Sequence, residues 1–227
     1  MRPVEKGAAP RGYTRYKQAQ TDLQARLGDY CSYCERQIET NLAVEHIQPK
    51  SLVPDLETNW SNFLLGCTNC NSSKGDTAID LNDYFWPDVD NTLRAFDYST
   101  GGLVEPTPTL SASLRAKAQA TIELVGLDKR PGNSNRLPTD SDRRWLRRKE
   151  VWQLAEKDRQ RLVTGDSEAV RELIVENAVA RGMFSIWWTV FAGDVDMRRR
   201  LRVAFIGTHE GSFDPNEDLV PRAGGQL

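Results

Sequence analysis

Hydrophobic and polar positions fall into two textures along the chain. In the first, short apolar or alternating runs are set off by turn residues: "LAVEHI" (42–47) alternates and leans towards β, and "NFLLGC" (62–67) is a brief apolar run. Between them "QPKSLVPDLETNW" carries two prolines and reads as a loop, so strand, loop, strand is expected. After Cys70, "NSSKGDTAIDLNDYFW" offers Asn and Ser capping chemistry for a short helix, with Gly75 limiting its length. "PDVDNTLRAFDYSTGGLVEP" is turn-rich, with a hairpin expected around Gly101 and Gly102.

Beyond Pro108 the texture becomes helical. Leu110, Leu114, Ala118, Thr121 and Val125 recur at helical spacing, and Gly126 is placed to stop that helix. A longer helix is expected from the Asp/Ser cluster near 140 through Trp145, Trp152 and Leu162 to Thr164. A third starts at Asp166 or Ser167 and aligns Val170, Leu173, Ile174 and Ala178. "MFSIWWTVFAG" is apolar all round, which predicts burial within the helical layer or against a partner chain. The tail from about Asp214 is expected to be loose. The pattern as a whole is α+β, dividing into 1–107 and a mainly α-helical 108–227.

Composition narrows the class without naming a chemistry. With 227 residues, 39% hydrophobic and 27% charged, the chain sits in the globular range. No run approaches the roughly 18 apolar residues that a membrane span needs. The start, "MRPVEKGAAPRGYTRYKQAQ", lacks the apolar core of a secretory signal, so a soluble, cytoplasmic protein is expected. The formal charge of −2 gives no global attraction to nucleic acid, but arginines cluster locally, from Arg143 to Arg161 and from Arg198 to Arg202. Such runs are ordinarily solvated helix faces laced with ion pairs, the alternative being a face for phosphate or a partner.

All four cysteines lie in one segment, as the Cys-x-x-Cys pairs Cys31/Cys34 and Cys67/Cys70. A two-residue gap lets one tight turn aim two thiolates at one ion, and two such turns complete a tetrahedron at sulfur distances near ~2.3 Å. Disulfides are disfavoured in a reducing compartment. A redox Cys-x-x-Cys lacks its usual βαβ setting. Four cysteine ligands leave no open position, so Zn²⁺ bound here is expected to be structural.

One of only two histidines, His46 in "EHIQPKS", lies inside the loop that this clip closes. Downstream come Asn62 in "WSNFLL" and Asn71 in "CNSSKG". The series "CSYCE", "EHIQPKS", "NFLLGC" and "CTNCNSSKG", residues 31 to 75, resembles the HNH endonuclease family with its ββα-metal core. The resemblance implies an HNH nuclease region over 1–107, its core at 28–85, that hydrolyses phosphodiester bonds of nucleic acid, DNA first. His46 then looks like the general base that takes a proton from water, a task suited to an imidazole. Glu45 and Asn71 look like the ligands of one Mg²⁺ or Mn²⁺ ion, and Asn62 like the residue that ties the inter-strand loop and orients the base. Lys74 is a possible phosphate contact. The implied products are a 5′-phosphate and a 3′-hydroxyl.

Two positions depart from the family pattern: Glu45 stands where Asp or His is commoner, and Asn71 where His often stands. His209 has no metal-ligand neighbours and reads as structural, and Asp88 and Asp90 read as turn residues. More widely, "FWPDVDNTLRAFDYSTGG" and "FIGTHEGSFD" resemble the small HNH subunits of Septu-type antiphage defence systems, some of them retron-associated. That implies an ABC/SMC-like ATPase as partner, with the apolar "MFSIWWTVFAG" and the arginine faces of 108–227 as its docking region. The competing expectation is a non-catalytic zinc module that binds nucleic acid or scaffolds a partner.

Overall fold

The alternating and apolar runs become an antiparallel hairpin, β1 (Ala43–His46) and β2 (Phe63–Gly66), in the computed structural model, which describes residues 1–227. Its register pairs Ala43 with Gly66 and His46 with Phe63. The connecting loop is held by two single 3₁₀ turns, Pro54–Leu56 and Trp60–Asn62. Ahead of the hairpin, α1 (Gln20–Leu27) buries Leu23 and Leu27. After it, α2 (Thr68–Lys74) completes a ββα unit and ends at Gly75. The sequence places its start after Cys70, yet it begins earlier. Cys67 is its N-cap, with Sγ accepting from the Cys70 amide at 3.4 Å, so sulfur does the capping expected of Asn or Ser.

A second hairpin follows, β3 (Phe96–Ser99) with β4 (Leu103–Pro106), turning at Gly101 and Gly102 as the sequence indicates. Helix α3 (Ala112–Leu124) is capped by the Ser111 hydroxyl, which accepts from the Leu114 amide. Helices α4 (Arg144–Thr164) and α5 (Glu168–Arg181) pack together, and α6 (Phe184–Val190) and α7 (Val195–Ala204) close the layer. On α5, Ile174 and Ala178 are buried, whereas Leu173 faces water.

The division at 107/108 is one of texture, because a single hydrophobic core of 47 buried residues spans both regions. Val4 bridges to Thr208, and Arg36 to Gly182, in isolated β-pairs. Gly182 has φ +70°, and a Cβ there would lie 2.4 Å from the Glu35 carbonyl oxygen, so this crossing admits only glycine.

Of the two places expected for the "MFSIWWTVFAG" stretch, it takes the helical layer rather than a partner-facing surface: Phe184, Ile186, Trp187, Trp188, Val190 and Phe191 are all buried within this chain. Two other expectations about 108–227 need correction. The first arginine cluster is not wholly a solvated face, since Arg144 is 1% exposed and Arg148 2%. They are tolerated there because carbonyls and Asp142 absorb most of their donors: Arg148 Nη2 reaches the Leu127 oxygen at 2.7 Å and Nε that of Gly102 at 2.8 Å, while its Nη1 has no partner. The tail is not loose. Phe213 pairs with Leu219, Glu217 accepts from Arg202, and Arg222 Nη1 donates to the Val4 oxygen at 2.9 Å. Charge pairing holds this polar segment where low hydrophobicity suggested disorder.

Candidate active site and metal centre

The four cysteines are buried and their sulfurs all lie within 4.8 Å of one another. Each pair sits on a tight turn: Glu35 N donates to the Cys31 oxygen at 2.9 Å, and Asn71 N to that of Cys67 at 2.9 Å. Ser32 stitches the first turn to the second strand, N to the Leu65 oxygen at 2.7 Å. The backbone also donates to sulfur, Cys67 N to Cys31 Sγ at 3.4 Å. Burial pushes the Cys31 and Cys70 thiols well up, whereas hydrogen bonds from neighbouring sulfurs hold Cys67 well down. Four sulfurs this close ionise together only around a cation, and the donor set is the one Zn²⁺ takes in closed tetrahedral sites. Arg144 supplies further compensation, Nη1 donating to Cys70 Sγ at 3.0 Å while its other donors meet Asp142 and the Val125 and Gly126 oxygens.

His46 ends β1 and packs edge-on between Tyr16, at 4.9 Å between ring centroids, and Phe63, at 5.3 Å. Its Nε2 lies 2.9 Å from the backbone oxygen of Glu57. A carbonyl only accepts, so Nε2 carries the proton and Nδ1 keeps a lone pair. Burial lowers the imidazole pKa; the Glu57 carbonyl opposes this and Lys50 adds to it. The ring is therefore neutral at pH 7, the state in which it takes up a proton.

Asn62 clamps the loop that carries that carbonyl. Its Oδ1 accepts from Gln48 N at 2.7 Å, and its Nδ2 donates to the oxygens of Gln48 at 2.9 Å and Leu56 at 3.4 Å. Both ends of the amide are thus spent on the segment between the strands.

Glu45 projects from the same strand towards α2, where Oε1 meets Lys74 Nζ at 2.9 Å. A Cβ on Gly66, across the hairpin, would stand 2.8 Å from the Glu45 Cβ, so glycine clears the room for this side chain. Lys74 Nζ also donates to the His46 oxygen at 2.7 Å. The ammonium, a possible phosphate contact by sequence, is instead 2% exposed and committed to protein. Burial raises the Glu45 carboxyl, and Lys74 counters it. Lys74→Met is expected to destabilise the fold by about 3–5 kcal/mol, because it leaves a buried carboxylate without its partner. Urea unfolding without added divalent ion measures this, and the deficit should shrink at low pH as Glu45 protonates.

Asn71 stands exposed on α2, one turn before Lys74 and therefore on the same helix face. Glu45 and Asn71 both offer oxygen donors, the hard kind that Mg²⁺ or Mn²⁺ takes, but Glu45 is buried against Lys74 while Asn71 is exposed.

Sequence reasoning missed Tyr16, the Glu57 carbonyl and Arg144. The aromatic and basic residues interleaved in "RGYTRYKQ" were the available signal for the first. A backbone carbonyl carries no residue-type signal, and a buried arginine within a charged run looks like a solvated one.

Residues 31–77 match the model of the family described as HNH endonuclease. The chain is also 35% identical over 78 residues to the Septu protein PtuB of Bacillus thuringiensis, an alignment covering 32% of this chain. It spans only 30% of the length of that curated relative. Family match and ββα geometry fall on the same residues, so the segment 31–77 is similar to HNH endonucleases in both sequence and local fold.

Proposed function

We propose that the protein is a metal-dependent endonuclease that hydrolyses phosphodiester bonds of DNA, with His46 as general base. The observation that carries this reading is the Nε2 contact to the Glu57 oxygen at 2.9 Å, which leaves Nδ1 as the free proton acceptor. Nδ1 takes a proton from water as the water oxygen attacks phosphorus. The bond from phosphorus to the 3′ oxygen breaks, leaving a 5′-phosphate, and the departing oxygen gains a proton to become the 3′-hydroxyl. A hard divalent ion held by Glu45 and Asn71 would offset charge on the phosphate and on the departing oxygen. Asn62 keeps the loop, and so the Glu57 carbonyl, in register with the imidazole.

Since burial lowers the His46 pKa, the acid limb of kcat/KM is expected below the ordinary histidine value of 6.5, with full activity at pH 7. The sign is that of a base, lost as pH falls through the pKa. A pH–rate profile checks it: a limb above 6.5 would contradict a buried neutral imidazole. Assaying plasmid cleavage by wild type and His46→Ala, with and without Mg²⁺ or Mn²⁺, tests the catalytic reading. Zinc and nucleic-acid binding without His46-dependent hydrolysis would leave a non-catalytic zinc module.

The likeness to a Septu protein supports a role as nuclease effector of a cytoplasmic antiphage defence complex. In this reading 1–107 is the nuclease region, and 108–227 docks an ABC/SMC-like ATPase. Because α6 is buried, docking falls to other exposed side chains of that region. No helix is long and apolar enough to cross a membrane. Co-purification with an ATPase encoded beside it tests the partnership.

A further inference from the structure

We propose that the turn Thr14–Gln18, outside the matched domain, forms a subsite for the phosphate backbone of the nucleic acid cut at His46; this rests on the nuclease reading above. The turn opens onto a cleft of about 740 Å³ lined by Thr14, Arg15, Tyr16, Lys17, Gln18 and Glu57. Two of these six also hold His46: Glu57 through its carbonyl, and Tyr16 through ring contact at 4.9 Å. The cleft therefore borders the candidate base directly.

Two of its cations are unpaired, on a cleft that borders His46. Arg11, Arg147, Arg159, Arg161, Arg171 and Arg200 pair with carboxylates, and other unpaired cations such as Lys149 and Lys157 lie on α4. Arg15 and Lys17 are exposed on either side of Tyr16, and neither has a carboxylate within ion-pair distance. A third cation, Lys50, sits 4.4 Å from the Tyr16 ring centroid. The only acidic group of the lining, Glu57, meets Lys50 at 3.4 Å, so the cleft keeps a positive excess in a chain of net charge −2.

The turn is also fixed in place. Gln18 Oε1 accepts from Thr14 N at 3.1 Å, Thr14 Oγ1 at 3.2 Å and Arg15 N at 3.2 Å, so one side chain holds three donors. Tyr16 is engaged by the His46 ring and by the Lys50 ammonium. What remains is point charge on an ordered turn, the chemistry that grips phosphates and positions a strand without reading its sequence.

The test is the double substitution Arg15→Gln with Lys17→Gln in the full chain. Binding to a duplex oligonucleotide is followed by anisotropy from about 50 to 200 mM salt, with His46→Ala in all proteins so that cleavage does not intervene. The slope of log K against log [salt] should become shallower by about 1 to 2, roughly 0.9 for each phosphate that the variant leaves unneutralised. The swap Arg15→Lys with Lys17→Arg should restore it, and unchanged zinc content excludes misfolding. With His46 intact, the Gln pair should raise KM more than it lowers kcat. Equal slopes, or no salt-dependent binding by the parent, overturn the subsite. Equal slopes alongside His46-dependent cleavage refute the subsite alone. A shallower slope with no such cleavage keeps the backbone contact and removes the catalytic reading.

Discussion

His46→Ala is expected to lower DNA cleavage by about 10²- to 10⁴-fold, the contribution typical of a positioned general base. The loss should fall on kcat, since the imidazole is buried between Tyr16 and Phe63 and Nδ1 acts on the attacking water rather than on ground-state binding. Truncation also strips the Glu57 carbonyl of its donor and opens space between two rings, so some stability is lost with it. His46→Gln keeps more of that volume and separates the two effects. Both variants should retain full zinc, because no cysteine hydrogen-bonds to His46. Cleavage by either at the wild-type rate would remove His46 from the chemistry.

Cys67→Ser should produce the largest structural effect. Cys67 is one of four zinc ligands by position, caps α2 through Sγ, and donates its own amide to Cys31 Sγ. Structural zinc is worth about 10–16 kcal/mol in isolated fingers, comparable with or larger than the about 5–15 kcal/mol that stabilises a typical domain. Here the clip is embedded in a larger core, so the expected outcome is selective: α2 and the β1/β2 hairpin lose hydrogen-exchange protection while α4 and α5 keep more of theirs. Zinc stoichiometry should fall and cleavage with it, since α2 carries Asn71 and Lys74. A zinc-free protein with unchanged protection over 31–75 would show that the clip does not hold the site.

Arg144 sets how far that damage spreads. It joins Cys70 Sγ to Asp142 and to the carbonyls that end α3, tying the clip to the helical layer. Loss of a metal from the clip is therefore expected to reduce hydrogen-exchange protection at the α3–α4 junction before α5.

The local grammar of the chain was legible where one residue type has one physical consequence. Paired cysteines at a two-residue gap imply a shared ion, alternation implies a strand, and Ser167 caps a helix because its hydroxyl meets an orphan amide. Where a residue has several outlets, only its surroundings decide. Lys74 reads from sequence as a solvated lysine or a possible phosphate contact, but a carboxylate at 2.9 Å and a carbonyl at 2.7 Å hold it inside. Arg144 and Arg148 read as part of a solvated run, but carbonyls exposed by helix ends and turns gave them buried partners.

The sequence by itself determined the strand–loop–strand order and the four-cysteine clip, because each follows from spacing within 31–75, whereas the grouping of His46, Glu45, Asn62 and Asn71 came from the resemblance to HNH endonucleases. Only the tertiary structure decided which nitrogen of His46 is free, that Lys74 neutralises Glu45, that α6 is core and that the tail is fastened. The physical reason is range. Spacing encodes contacts made within a turn or a hairpin, whereas tautomer, burial and ion pairing depend on groups that folding brings from elsewhere in the chain, such as the Glu57 carbonyl at His46 and Tyr16 from before α1.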